Sequence, residues 1–168
     1  CATTLGSYAE QVERFRDYIA AGDVYQVNIS HAFSAQLRPG VEAADVYRRL
    51  RRQHGAAFGG YLGLSNVAIL SNSPECLMRL KLGPDGHLQS WPLKGTRPAS
   101  GDPVELAADP KERAEHIMIV DLVRNDLGRV SVVGTVAVPR LLEVVRHPTV
   151  LHLESRVEAQ PRPDASLC

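Results

Sequence analysis

A lysine beside a glycine is the first feature of this sequence that could carry chemistry. Lys94 lies in residues 90–98, where a predicted strand ends, and Gly95 beside it permits close approach of backbone or ligand. A lysine that is desolvated at such a position loses its proton more easily and can attack carbon. Taken alone, however, the local sequence favours a simpler interpretation, a surface lysine that precedes a turn.

Three glutamates are candidates for catalytic or metal-binding roles. Glu75 follows Ser73-Pro74 at a break between predicted strands, where burial could suit its carboxyl group to acid or base work near neutrality. By itself this motif is an ordinary turn. Glu112 and Glu115 are three residues apart and share one face of a predicted helix, a layout suited to holding Mg²⁺ together with waters. Most such pairs are simply solvated.

Two further polar features have a structural interpretation. His152 lies between Leu151 and Leu153, and a lone histidine on an apolar strand is more often a hydrogen-bonded core residue than a catalyst. The sequence Arg124-Asn125-Asp126 is typical of a helix terminus held by side-chain hydrogen bonds. Neither feature alone indicates an active site.

The composition is that of an ordinary globular protein of one-domain size. Among 168 residues, 19 Lys and Arg balance 19 Asp and Glu, and this neutrality argues against a nucleic-acid partner. The one basic cluster is expected on a solvated helix face and comprises Arg48, Arg49, Arg51 and Arg52. Three cysteines lack metal-ligand spacing, and no apolar run is long enough to cross a membrane. We therefore expect a cytoplasmic protein with no membrane partner.

Predicted helices and strands position these residues. Ser7 and Glu10 have the form of a capping box, so a helix should follow and end at Gly22. Residues 24–35 alternate with period two and predict a strand, and residues 41–53 predict a second helix.

The rest of the chain predicts strands around a third helix. Residues 58–91 are broken by Gly, Asn and Pro into the short strands of an antiparallel meander. The prolines in residues 98–110 predict a loop, and residues 111–126 predict a helix that Gly128 closes. Further strands are predicted at residues 130–138 and 141–157, with breaks at Pro139 and Pro148. The fold class is therefore α+β, with mostly antiparallel sheets and flanking helices.

Five motifs, taken together and in this order, closely resemble the chorismate-binding enzyme family. The resemblance covers nearly the whole chain, from about Tyr8 to about Val157, and its long helix motif is highly specific. The motifs are GDVYQVNIS at residues 22–30, SPE at 73–75, PLKGTR at 92–97, RAEHIMIVDLVRNDLGRV at 113–130 and HL at 152–153.

The resemblance implies a fold, a substrate and roles for named residues. The fold would be a fragment of the family's α/β sandwich, and chorismate would be the substrate with Mg²⁺ as the cofactor. Lys94 would be the covalent nucleophile, Glu75 would handle the proton on the leaving hydroxyl group, and Glu115 would help to hold Mg²⁺. Three residues would line the substrate site: Gly95, Thr96 and His152.

Two positions narrow the choice within the family. Gln26 stands where isochorismate and salicylate synthases carry a water-activating lysine, and Lys94 stands where anthranilate synthases usually carry alanine. The resemblance therefore implies the aminodeoxychorismate synthase component I type. Such an enzyme converts chorismate and ammonia to 4-amino-4-deoxychorismate, for p-aminobenzoate and folate biosynthesis. A glutamine amidotransferase subunit or fused domain would supply the ammonia.

Both ends of the chain look cut. It begins with Cys1 and ends with Leu167-Cys168 after a Pro-rich stretch, and the family's catalytic domain is much longer. We expect residues 1–168 to be a partial catalytic domain, truncated at both ends and without its carboxyl-terminal half. Two alternatives are an anthranilate synthase component I-like enzyme and a non-catalytic fragment or partner-binding remnant.

Overall fold

The computed structural model describes residues 5–30, 32–81, 83 and 85–165. The chain divides into two compact units, Cys1–Val41 and Glu42–Cys168, and mixes helices with antiparallel sheets as predicted. No helix among the described residues is both long and apolar enough to cross a membrane. The elements are α1 (Leu5–Ala21), α2 (Ala43–His54), β1 (Gly60–Gly63), β2 (Ala68–Ser71), β3 (Cys76–Lys81), β4 (His87–Trp91), β5 (Leu93–Pro98), α3 (Pro103–Ala108), α4 (Pro110–Val130), β6 (Ala137–Arg146) and β7 (Val150–Ala159).

The first unit consists of α1 and an extended segment. Gly22 ends the helix in the left-handed conformation, at φ 82°, as predicted. The predicted capping box is wrong, because the helix begins at Leu5 and Ser7 already lies in its first turn. The strand predicted at residues 24–35 is also wrong for the described residues of that range. An isolated strand leaves its backbone groups unpaired, and no strand is described within this unit; His31 lies outside the described residues.

The second unit begins with α2, which confirms the predicted second helix. A capping box between Glu42 and Asp45 starts it, and Gly55 follows its last residue. The four arginines of the basic cluster are exposed, as the spacing indicated. The helix therefore presents a solvated charged face.

The strand β7 is the centre of a five-stranded sheet. It pairs antiparallel with β6 on one edge, while β4 and β5 pair one after the other along its opposite edge. The meander predicted at residues 58–91 forms, but in two sheets: among the described residues β1 and β2 pair only with each other, and β3 pairs with β4. Alternate residues of β7 are buried beneath α3 and α4, from Leu151 to Ala159.

Three predicted boundaries around α4 need correction. The predicted loop at residues 98–110 contains α3, because Pro103 occupies a first helical position, where its missing N–H costs nothing, and Asp102 caps the helix. The helix α4 continues through Gly128 to Val130, so Arg124-Asn125-Asp126 does not end it. Pro139 does not break β6, since β7 is its only pairing partner in the described part of the chain and its register shifts near the proline.

A buried hydrogen bond joins α4 to β7. His116 Nε2 lies 2.6 Å from Ser155 Oγ, and the same hydroxyl oxygen accepts a hydrogen bond from the Leu142 backbone N–H at 2.9 Å. Neither His116 nor Ser155 is exposed to solvent. Burial, and secondly the charge of Lys94, lower the pKa of His116 to about 4. The imidazole is therefore neutral at pH 7.

Exposed strand edges lead us to expect that the 168-residue chain self-associates. The edge strand β3 carries Leu77 at 87% exposure, and such edges pair with other chains. Size-exclusion chromatography with light scattering over a range of concentrations measures this, and Leu77→Lys should reduce it. The control is Val133→Lys, at a residue 97% exposed but outside the strands. A monodisperse monomer that unfolds cooperatively would contradict the expectation.

The neutral buried imidazole of His116 should make folding stability depend on pH. Between about pH 6.5 and pH 4 the unfolded chain binds a proton at this residue and the folded chain does not. Stability should therefore fall by about 3 kcal/mol as the pH decreases through this window. Urea denaturation at several pH values measures the slope. The slope should flatten in His116→Gln and persist in His87→Gln, whose side chain is partly exposed; equal slopes in both variants would refute the assignment.

Candidate active site

Lys94 is the second residue of β5 and faces α4. Its cross-strand partner is Leu153, which is buried under the helices, and opposite residues of an antiparallel pair share one face. The lysine is half-buried, and its charge contributes to the lowered pKa of His116. Within the described part of the chain no carboxylate lies within 4 Å of its amine. The geometry therefore departs from that of a fully solvated surface lysine before a turn.

Glu75 lies beside the start of β5. Its Oε1 accepts a hydrogen bond from the backbone N–H of Leu93 at 3.0 Å, and the Ser73 hydroxyl group bonds its backbone. The turn thus brings a carboxylate next to the residue that precedes Lys94. Glu75 as a whole is exposed, so the burial on which the acid–base hypothesis relied is not present in this chain.

The three predicted substrate-binding residues lie together where β5 crosses β7. His152 Nδ1 lies 2.8 Å from the carbonyl oxygen of Gly95 and 3.4 Å from Thr96 Oγ1. Because a carbonyl oxygen only accepts, Nδ1 carries the proton and Nε2 is the acceptor in the neutral ring. The structure thus brings together residues 57 positions apart in sequence.

Glu112 and Glu115 have different surroundings despite their spacing. The Glu112 carboxylate is 15% exposed and pairs with the Arg97 guanidinium group at 3.3 Å. Glu115 is 41% exposed, and its only described ion pair is with Lys111 at 3.7 Å. Among the described residues no group of three or more His, Cys, Asp or Glu side chains could hold a metal ion. The Glu115 carboxylate is therefore accessible, whereas the Glu112 carboxylate is already engaged by Arg97.

Arg97 and Asp109 contact the candidate site residue Glu112, and the sequence did not indicate this. Arg97 Nη2 donates to Asp109 Oδ2 at 2.8 Å, and Asp109 Oδ1 caps α4 by accepting from the backbone N–H groups of Lys111 and Glu112. These backbone bonds, chiefly the one from Glu112, together with the charge of Arg97, lower the pKa of Asp109. The Asp-Pro sequence before the helix was a signal for this N-cap. Nothing local indicated its pairing with Arg97.

A small cavity of about 160 Å³ opens beside His152. Its lining includes Pro74, next to Glu75, and His147, whose ring packs edge-on against His152 at a centroid distance of 5.3 Å. Burial, and secondly the charge of His152, lower the pKa of His147. The cavity therefore lies between the turn at Ser73-Pro74-Glu75 and His152, the predicted substrate-binding histidine. The sequence did not indicate His147.

Comparison with known proteins gives a consistent family assignment. Residues 2–168 match the family described as chorismate binding enzyme. The chain is 41% identical over 160 residues to aminodeoxychorismate synthase component 1 of Klebsiella aerogenes, covering 91% of this chain and 34% of that protein. It is also 41% identical over 165 residues to anthranilate synthase component 1 of Streptomyces coelicolor, covering 94% of this chain and 31% of that protein. The chain spans about a third of the length of these curated relatives.

A solved structure shares the fold. The crystal structure of anthranilate synthase component I from Streptococcus pneumoniae superposes with a TM-score of 0.79 at 34% sequence identity. The alignment covers 92% of this chain and 34% of that one. The α+β arrangement described above is therefore the arrangement of part of a larger known fold.

Gly95→Ala should destabilise the chain more than a glycine replacement in open space. Gly95 has φ 67°, and an added Cβ would lie 3.1 Å from Leu106 Cδ1 and 3.3 Å from Glu112 Oε2. The matched control is Gly134→Ala, with φ 82° and nothing within 4 Å, where only the backbone cost of about 1–2 kcal/mol applies. Urea denaturation should show a further loss of about 1 kcal/mol for Gly95→Ala. Equal losses of unfolding free energy in the two variants would mean that Leu106 and Glu112 move aside at no measurable cost.

Proposed function

Because the chain belongs to the family of chorismate-binding enzymes, we propose that it is part of an aminodeoxychorismate synthase component I. The observation that carries this proposal is Lys94, half-buried and without a carboxylate partner in the described chain, at the position that separates the lysine-bearing synthases from anthranilate synthases. Overall similarity does not discriminate, since relatives of both names are 41% identical.

The proposed reaction is substitution at an allylic alcohol. The amine nitrogen of Lys94 uses its electron pair to form a C–N bond to the ring of chorismate while the C–O bond of the ring hydroxyl group breaks. The leaving oxygen takes up a proton, which Glu75 would handle, and departs as water. Ammonia then forms a C–N bond, the lysine leaves with its electron pair, and the product is 4-amino-4-deoxychorismate. The proximity of Glu75 to Leu93 supports this division of roles.

The remaining residues would bind and orient the substrate. Gly95, Thr96 and His152 form one hydrogen-bonded group, and His152 also lines the cavity next to the glutamate turn. Glu115, which is accessible, would hold Mg²⁺, whose charge on the ring carboxylate would draw electron density from the reacting ring. In this proposal Glu112 supports the site from its ion pair with Arg97.

The ammonia would come from glutamine. A free amine nucleophile is scarce near neutral pH, so we propose a glutamine amidotransferase subunit or fused domain as the partner. The 4-amino-4-deoxychorismate that forms would then serve p-aminobenzoate and folate biosynthesis. Glutamine-dependent turnover that needs no second protein or domain would contradict this part of the proposal.

Two other functions remain as competitors. An anthranilate synthase component I-like activity is favoured by the relatives of that name, which are as similar as the aminodeoxychorismate synthases. The other competitor is a non-catalytic fragment or partner-binding remnant of the family. The product formed from chorismate distinguishes all three.

Lys94→Ala should abolish formation of 4-amino-4-deoxychorismate. The assay supplies chorismate, Mg²⁺ and ammonium to the chain and couples the product to its lyase, with fluorescence to detect anthranilate. Loss of the nucleophile should reduce kcat by about 10³-fold or more. Lys81→Ala, at an exposed lysine of β3, is the matched control and should retain activity. Anthranilate formation that survives Lys94→Ala would favour the first competitor, and no product from the unmodified chain would favour the second.

A further inference from the structure

The residues around Lys94 form a bulge in β5. Lys94 pairs with Leu153, but Thr96 pairs with His152, so one residue is inserted between them relative to β7. The inserted residue is Gly95, whose φ of 67° lies in the left-handed region. The register of β5 therefore changes directly after Lys94.

This bulge places Lys94 and Arg97 on the same face of the sheet. In a regular strand, residues three apart point to opposite faces. Here Lys94 is opposite Leu153 and Arg97 is opposite Leu151, and both of these leucines are buried under the helices. If the bulge closed and the strand slipped by one residue, either Lys94 or Arg97 would turn to the other face.

Two neighbouring elements, the helix α4 and the strand β7, hold Gly95 in place. On the side of α4, the Glu112 side chain packs so closely that an added Cβ would lie 3.3 Å from its Oε2 and 3.5 Å from its Cβ. On the side of β7, His152 Nδ1 donates to the Gly95 carbonyl oxygen at 2.8 Å. The inserted residue thus has a fixed position between two elements.

Arg97 ties this arrangement to the first turn of α4. Its guanidinium group bridges two carboxylates, at 2.8 Å from Asp109 Oδ2 and 3.3 Å from Glu112 Oε1, and also donates to the Thr96 carbonyl oxygen at 3.0 Å. The side chains of Arg97, Asp109 and Glu112 are 33%, 26% and 15% exposed. A planar guanidinium group that bridges two partly buried carboxylates constrains geometry more than a single surface pair does.

We propose that Arg97 is a positioning residue that keeps the β5 bulge in register, through its ion pairs with Asp109 and Glu112, and thereby directs Lys94 towards α4. The importance of this direction for catalysis rests on the proposed function, whereas the positioning itself does not. Glu112 contributes as the counter-ion of Arg97 and as the side chain that packs on Gly95.

Chemical labelling of Lys94 tests the proposal without substrate. The chain has three lysines, so limited acylation followed by mass spectrometry compares Lys94 with the exposed Lys81 in one sample. In Arg97→Ala the ratio of Lys94 to Lys81 acylation should move towards unity by about threefold or more. Arg97→Lys, which can still reach one carboxylate, should restore part of the original ratio, and Glu112→Gln should shift it in the same direction as Arg97→Ala.

Controls separate positioning from general destabilisation. Arg124→Ala removes an exposed ion pair elsewhere on α4 and should leave the ratio unchanged, while Gly95→Ala disturbs the bulge directly and should change it. The proposal is overturned if Gly95→Ala shifts the ratio but folded Arg97→Ala does not. If Arg97→Ala fails to fold, Glu112→Gln replaces it, and an unchanged acylation ratio in folded Glu112→Gln overturns the proposal. Because no chorismate is present, a failure of the proposed enzymatic function does not affect the result.

Discussion

The pairing of β7 on both of its edges is the constraint on which the second unit depends. One edge carries β6, the other carries β4 and β5 in succession, and alternate side chains of β7 form the floor beneath α3 and α4. Burial of the apolar members of this row drives packing of the helices. The buried polar member, Ser155, is satisfied by His116 from α4 and by Leu142 from β6, so one hydroxyl group joins three elements.

The candidate site exists because β5 departs from regular pairing against this strand. The inserted Gly95 lets Lys94 and Arg97 share the helix face, while His152 binds the glycine carbonyl oxygen from β7. Arg97 then meets Asp109 and Glu112 at the start of α4. Lys94, Arg97 and the cap of α4 are thus coupled through a single irregularity, and His152, from the face of β7 opposite Leu151 and Leu153, contacts the carbonyl oxygen of the inserted glycine.

The carboxylates differ in what their surroundings allow. Glu112 is engaged by Arg97, Glu115 remains accessible, and Glu75 reaches the backbone of β5 from an exposed turn. Because the chain spans about a third of its relatives, a complete chorismate site is a property proposed for the whole protein. The described residues supply the lysine, the histidine and the carboxylates of that proposal in one compact unit.

The sequence by itself determined the family, the α+β class, the second helix and the meander strands, and it nominated Lys94, Glu75 and His152 as candidates for the site. These follow from local periodicity, turn residues and ordered motifs, which neighbouring residues encode. Only the tertiary structure decided that residues 24–30 and 32–35 form no strand, that α3 exists, and that Glu112 pairs with Arg97. Strand pairing, bulges and ion pairs depend on partners distant in sequence, and period-two alternation cannot show which partner a strand will find.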